Sequence, residues 1–309
     1  MIPVLTLEKV EPLLDWLDLS SALLAGHRAA PPQIEDVLLS RRDDRMLSRC
    51  AWIDGMGLGV KSVSVFPGNA AQGRPSVQGA MLVFDDTTGA IEAVIDNALI
   101  TKWKTAGDSL LGARLLARPD AASLLIVGAG TVASTLIEAY RAWKPGIAIT
   151  LWARRTEAAA ALAARYPGVG VAQDLQAAVA AADIVSTCTM AKAPVVLGEW
   201  LRPGQHLDLI GAYTPEMREV DDTALTRARI FVDSRATTLP HIGELLIPLA
   251  RGTISEADIL GDLRDFAAER VAPRGPGDIT IFKNGGGAHL DLMTARYMLQ
   301  RWHASHAPT

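Results

Sequence analysis

The sequence predicts an α/β chain in which a doubly wound parallel sheet follows a segment of helix and antiparallel strands. Three observations predict it. A short apolar run at 124–127 stops at Gly128-Ala129-Gly130, and a helix-compatible segment follows through Thr135, Leu136, Ile137 and Ala139. Beyond that turn, strand-like and helix-like stretches alternate, which is the pattern of a parallel sheet with crossover helices. Before it, residues 60–66 alternate with period two, as a half-buried strand does.

In chain order, apolar residues between Pro3 and His27 recur at mixed spacing, suggesting one helix feeding another, and Pro31-Pro32 breaks the pattern. Arg41, Arg42, Arg45 and Arg49 then sit among apolar residues with no assigned element. Strands are expected at 60–66, 79–84 and 90–95, the last two joined by a turn-rich stretch from Asp85 to Gly89. A helix should cover about 100–117, capped by Thr101 or Asn97 and stopped by Arg118-Pro119-Asp120. Strands then follow at 124–127, 147–152, 183–187, 206–210, 229–232 and 279–283. Helices are expected at 131–143, 156–165, 175–181, 221–227, 239–249 and 289–302.

The 309 residues leave room for two domains, and an apolar fraction of 49% excludes a disordered chain. A net charge of −4 supplies no basic field for nucleic acid or an anionic membrane. No apolar run reaches membrane-spanning length, and the N-terminus lacks the basic start of a secretory signal. Cys50 and Cys188 lie far apart without metal-type spacing, reading as small buried residues of a reducing, cytoplasmic compartment. The histidines likewise lack ligand spacing, so no metal is expected.

The glycine turn is the feature that carries chemistry. A helix N-terminus leaves backbone N–H groups unpaired and carries partial positive charge, so a pyrophosphate can dock there. Gly128 permits the turn, Gly130 lets the backbone approach phosphate, and Ala133 is small enough for helix–strand packing. The expected dinucleotide contacts are Gly128, Ala129 and Gly130, with Thr131 and Val132 opening the helix. An NAD-selective site places an acid about 20 residues past the glycines. Here that place holds Ala153, Arg154 and Arg155, and a guanidinium pair suits a 2′-phosphate, so NADP(H) is favoured and NAD(H) is the alternative. Thr187, Cys188 and Thr189 follow a strand end and are expected beside the nicotinamide ribose.

Several motifs now stand in register: Gly59-Val60-Lys61 through Val65-Phe66-Pro67-Gly68-Asn69, Lys104-Thr105-Ala106, the glycine turn, Gly211-Ala212-Tyr213-Thr214-Pro215, and Phe282-Lys283. In order and spacing the chain resembles the ornithine cyclodeaminase/mu-crystallin family over nearly its full length. The resemblance implies a Rossmann domain at 118–283. It also implies a substrate-binding and dimerisation domain at 1–117 and 284–309, completed by the returning C-terminal helix, and a homodimer. It implies that a small α-amino or α-imino acid is held by its carboxylate. Lys61 matches the family's strand lysine, and Lys104 stands where the family has an arginine. A second arginine is expected upstream: Arg41, Arg42 and Arg45 are the candidates, Gln33 the alternative, and Asn69 is placed among the substrate contacts. Gly211 and Lys283 match positions near the cofactor.

The departure lies at Tyr213, where cyclodeaminases carry an aspartate that works at the substrate amine. A phenol with pKa near 10 is a poor base for an ammonium. The wording here resembles the ketimine reductase branch, which implies NADPH-dependent reduction of Δ1-pyrroline-2-carboxylate or Δ1-piperideine-2-carboxylate to L-proline or L-pipecolate. Lys61 and Lys104 would clamp the carboxylate, and Tyr213 or a water would hold the imine proton. Asp108 is a further candidate relay, with an exposed helix-start charge as its other reading. The rival activities are ornithine cyclodeamination, NAD-linked amino-acid dehydrogenation, and ligand binding without turnover.

Overall fold

The computed structural model of the chain describes residues 2–307. It divides into two units, Met1–Lys104 with Gly286–Thr309, and Thr105–Gly285.

The first unit begins with strand β1 (Val4–Leu5), helix α1 (Leu7–Val10) and helix α2 (Trp16–Gly26). Asp15 starts α2 by accepting hydrogen bonds from the Leu17 and Asp18 amides, a cap that contributes about 1 kcal/mol. Strands β2 (Gln33–Arg41), β3 (Asp44–Ile53), β4 (Gly57–Val65), β5 (Val77–Phe84) and β6 (Ile91–Asp96) complete a six-stranded sheet ordered β1-β6-β5-β4-β3-β2. Its long strands β2 to β6 are antiparallel neighbours.

Helix α3 (Asn97–Leu116) starts three residues earlier than its apolar pattern suggests. The cap is Asp96, whose carboxylate accepts the Ala98 amide at 2.8 Å, rather than Thr101 or Asn97. The helix does stop at Arg118-Pro119, but the division between units falls inside it, after Lys104, and the second division falls after Gly285. These compact units divide at other residues than the 117/118 and 283/284 domain limits expected from sequence: a helix end is legible there, and a change of packing partners along a helix is not.

The second unit holds β7 (Ser123–Val127), α4 (Thr131–Trp143), β8 (Ala148–Trp152), α5 (Thr156–Ala163), β9 (Gly170–Val171), α6 (Leu175–Ala181), β10 (Ile184–Thr187) and β11 (His206–Leu209). After these come α7 (Asp222–Arg227), β12 (Ala228–Val232), α8 (Arg235–Thr238), α9 (Gly243–Ala250), β13 (Ile259–Asp262), α10 (Leu263–Ala267) and β14 (Ile279–Lys283). The sheet runs β13-β12-β14-β11-β10-β7-β8-β9 and is parallel at every pairing. Its order reverses between β7 and β10, which opens a crevice at their carboxyl ends. Buried aliphatic side chains such as Leu125, Val185, Leu207, Val232 and Ile281 form the core on one face.

Helix α11 (Ala288–Ser305) returns to the first unit and packs on α2, β3 and β4. The approach is close at Gly59, where a Cβ would lie 2.4 Å from the Met81 methyl and 3.3 Å from a Leu292 methyl. The predicted strands and helices are present with shifted ends, except that of the helix expected at 239–249 only the part within α9 forms, 239–242 being a turn between α8 and α9. Strands β2 and β3 carry no assigned element in the sequence reading. Nearly every side chain of β2 is open on both faces, so no alternation marks it.

Candidate active site

β4 is an interior strand, and Gly57, Gly59, Lys61 and Val63 form its buried face. Lys61 therefore points inward and is only 6% exposed, which excludes an edge lysine in solvent. Its Nζ donates to Asp291 Oδ1 of α11 at 2.7 Å. Lys104, near the middle of α3, places its own Nζ 2.8 Å from the same oxygen and donates to the Gly286 carbonyl at 3.1 Å. Arg49 lies directly opposite Lys61 across the β3–β4 ladder, so the two share a face. Its guanidinium donates to the Gly286 carbonyl at 2.6 Å and to Asp36 at 2.9 Å. Lys61, Lys104 and Arg49 thus gather around Asp291, with Asp36 as a further acid on Arg49. Asp291 Oδ2 is buried and accepts no hydrogen bond.

Burial shapes the protonation of this cluster. It pushes Lys104 down to about 7; Asp291 opposes the shift, while Lys61 and Arg49 reinforce it. Burial alone would raise Asp291, but the Lys104 and Lys61 ammoniums outweigh it and hold the carboxyl below its usual range. His289, two residues before Asp291, is driven well below 6.5 by burial, then by His27 and Lys104. The arrangement is a buried cationic cluster, and charges of this kind are what hold a carboxylate.

Other substrate-side residues fall differently. Arg41 lies at the tip of the β2–β3 hairpin, paired with Asp44 at 3.1 Å and with its side chain 77% exposed. Arg49 rather than Arg41 neighbours Lys61, because cross-strand register and not sequence order decides which arginine meets it. Asn69 donates to the Pro75 carbonyl at 3.0 Å, within its own loop. Asp108, one turn beyond Lys104, is fully buried, which rules out the exposed helix-start charge.

In the second unit, Gly128 (φ +140°) ends β7 beside Cys188, whose Sγ would be 2.6 Å from any added Cβ. Gly130 is the N-cap of α4 and offers no side chain to its amides, leaving them for an anion. A cleft of about 630 Å³ opens here, lined among others by Gly128, Gly130, Ala153, Arg154, Arg155 and Thr189. Ala129 and Cys188 line it too. Thr131 faces a neighbouring hollow with Ser134 and Arg165, and Val132 is half-buried in the first turn.

Thr187, Thr189 and Gly211 are gathered by one side chain that sequence reasoning missed. The Glu219 carboxylate accepts from Thr187 Oγ1 (2.8 Å), the Thr189 amide (2.7 Å), Thr189 Oγ1 (2.7 Å) and the Gly211 amide (2.6 Å). Glu244 in turn accepts the Glu219 and Val220 amides, and burial, then Glu219, pushes it up to about 7. Thr187 and Gly211 thus serve to set the loops, not to line the cleft. Lys283 is fully buried and donates to the Leu209 and Asn284 carbonyls at 2.9 and 2.7 Å. Its ammonium staples the ends of β11 and β14 and is absent from the cleft lining. Asn284 donates to the Thr105 carbonyl and to Ser109 Oγ, both at 3.0 Å, a second staple with no prior signal.

Tyr213 is 58% exposed on the loop after β11, so its hydroxyl has the solvated environment least suited to retaining an imine proton. The acids near it are occupied elsewhere. Asp208 is buried on β11 with Ser186 Oγ at 2.9 Å, and burial raises it to about 6. Glu216 is exposed, and Asp221 caps α7. Among the described residues no cluster of three or more His, Cys, Asp or Glu could hold a metal, and no helix is long and apolar enough to cross a membrane.

Known proteins match this geometry and sequence along most of the chain. The Delta(1)-pyrroline-2-carboxylate reductase of Paracoccus denitrificans is 54% identical over 291 residues, 92% of each chain. The ketimine reductase mu-crystallin of Mus musculus is 34% identical over 246 residues, 79% of this chain and 76% of its own. An archaeal alanine dehydrogenase dimer with bound NAD superposes with a TM-score of 0.89 at 26% identity, covering 100% of this chain and 98% of that one. The sequence model of the ornithine cyclodeaminase/mu-crystallin family matches residues 21–306. The chain belongs to the ornithine cyclodeaminase/mu-crystallin family.

Proposed function

We propose that this chain is an NADPH-dependent reductase of a cyclic imino acid, converting Δ1-pyrroline-2-carboxylate or its six-membered homologue to L-proline or L-pipecolate. The observation that carries it is the buried Lys61–Asp291–Lys104 cluster with Arg49 beside it. A monocarboxylate is the anion that a cluster of buried ammonium and guanidinium groups suits. An imine needs no carboxylate to strip an ammonium; it needs its acid group held, its ring set against the nicotinamide and bulk water excluded. An exposed tyrosine at position 213 fits that lighter demand, and the likeness to the Paracoccus reductase favours it. The test is NADPH oxidation against the two cyclic imino acids, with ornithine plus NAD and alanine plus NAD as controls. Ammonia release from ornithine would make the chain a cyclodeaminase. NAD-linked oxidation of alanine, the reading favoured by the archaeal neighbour, would make it a dehydrogenase.

The cofactor choice rests on Arg154 and Arg155, which line the cleft after β8 where no acid stands. Both are exposed, so each contributes modestly. Arg154→Asp should raise the KM for NADPH by about tenfold while leaving that for NADH within about threefold. A wild-type preference for NADH would end this part of the reading.

The partner of the first unit is a second copy of the chain. Val37, Leu38, Leu39 and Met46 leave large apolar side chains open on the β2–β3 hairpin, and β2 is an unpaired sheet edge. Leu38→Glu should shift the protein to a monomer in size-exclusion chromatography with light scattering, and an unchanged dimer would place the interface elsewhere. The cytoplasm is the compartment this reading fits.

A further inference from the structure

We infer that Lys104 is the group that protonates the imine nitrogen of the substrate, with Arg49 and Lys61 left to hold its carboxylate. This rests on the imine-reductase reading and assigns a role within it. The cluster contains three cations, and their surroundings divide the work among them. Arg49 cannot release a proton in a protein, so it can serve only as a fixed charge and a fork of donors. It stands across the ladder from Lys61 on the same sheet face, which makes those two a natural clamp for one carboxylate. Lys104 comes from a different element, the α3 helix, and reaches the cluster from another side, meeting it at Asp291 Oδ1 and the Gly286 carbonyl.

The groups facing Lys104 are Asp291 and His289 from α11, Lys61 from β4 and Arg49 from β3, with Asp108 one turn along its own helix. Its ammonium is poised near neutrality for reasons of position: it is buried among like charges with one carboxylate in contact. An acid that titrates near the working pH can both give a proton and recover it. His289 is held neutral by burial and its neighbours, and Tyr213 is in solvent. The substrate's own carboxylate, arriving in the seat, favours the ammonium form of Lys104, so binding loads the donor.

The step balances as follows. An N–H bond of the Lys104 ammonium breaks and an N–H bond forms on the imine nitrogen, giving an iminium. A hydride with its electron pair passes from the reduced nicotinamide to the imine carbon, and the C=N π pair moves to nitrogen. The imino acid is reduced and the nicotinamide oxidised. The Lys104 amine recovers its proton from water, and the amino acid takes its second proton after release.

The test uses the whole enzyme with NADPH and Δ1-pyrroline-2-carboxylate, and compares wild type with Lys104→Arg from about pH 5 to pH 10. Arginine keeps the charge and the carboxylate contact and withholds the proton. The expected result is a KM within about threefold of wild type, a kcat lower by about 10²-fold, and loss of the alkaline limb seen in wild type. A kcat within about threefold of wild type, or an alkaline limb that persists in the variant, overturns the inference, because the limb would then belong to the substrate's own imine. NADPH binding followed by fluorescence checks that the variant is folded. If it is not, the wild-type profile decides alone, since a kcat flat with pH excludes Lys104 as donor. A wild type that oxidises no NADPH with either cyclic imino acid defeats the reductase reading itself.

Discussion

Lys61→Met should lower kcat/KM for the cyclic imino acid by about 10²- to 10³-fold, with most of the change in KM. Methionine matches the length and apolar stem of lysine, so the buried face of β4 stays filled. Asp291 keeps its contact with Lys104, so no carboxylate is stranded. What disappears is one charge-assisted hydrogen bond to the substrate carboxylate in a dry site. Such a bond contributes about 3–4 kcal/mol where both partners are desolvated, hence the expected range. The same variant carries a second signature. Lys61 is one of the charges that depress Lys104, so its removal should move the alkaline limb of kcat to higher pH. Steady-state kinetics across pH read both effects. A kcat/KM within about threefold of wild type would remove Lys61 from the carboxylate seat.

The legible parts of this site were those written in local pattern. The β7–glycine–α4 turn shows itself because an apolar run, two glycines and a helical period lie within a dozen residues, and the cleft forms where they predict. Lys61 sits on a strand with strict alternation, so its face could be assigned once the strand was seen as interior. Arg49, Asp291 and Glu219 were not legible, for different reasons. Arg49 lies on a strand whose neighbour β2 is open on both faces, so neither its element nor its register shows in the hydropathy. Asp291 is a lone acid on an apolar helix, where a charge ordinarily marks the solvated side. It is buried because two lysines far away in sequence, at 61 and 104, converge on it. Glu219 works through backbone amides, which every sequence contains. Thr187, Gly211 and Lys283, expected near the cofactor, are each held by internal bonds of this kind.

Asp291→Asn should then be the most destabilising conservative change in the first unit, by about 3 kcal/mol near neutral pH. The amide fills the same space, so the loss comes from charge: the carboxylate that both buried ammoniums touch is gone. Its pH dependence separates this cause from packing. The Asp291 pKa is depressed in the folded protein, so its stabilisation is present above the unfolded carboxyl value near 3.9 and is lost as pH falls through the lower folded value. The deficit of the variant should therefore shrink in strong acid. At the other end, a lysine with a depressed folded pKa binds more protons unfolded than folded between the two values. Stability consequently rises with pH from about 7 toward the unfolded lysine value. Without Asp291 that depression deepens, so the variant begins to gain stability below about pH 7, where wild type does not yet, and above that value the two rise together. Thermal or urea unfolding across pH should thus show a deficit largest just above the unfolded carboxyl value, smaller in strong acid, and smaller again from about pH 7 upward. A deficit of constant size would mean that Asp291 contributes shape alone, and the cationic seat would lose the counter-charge on which its chemistry depends.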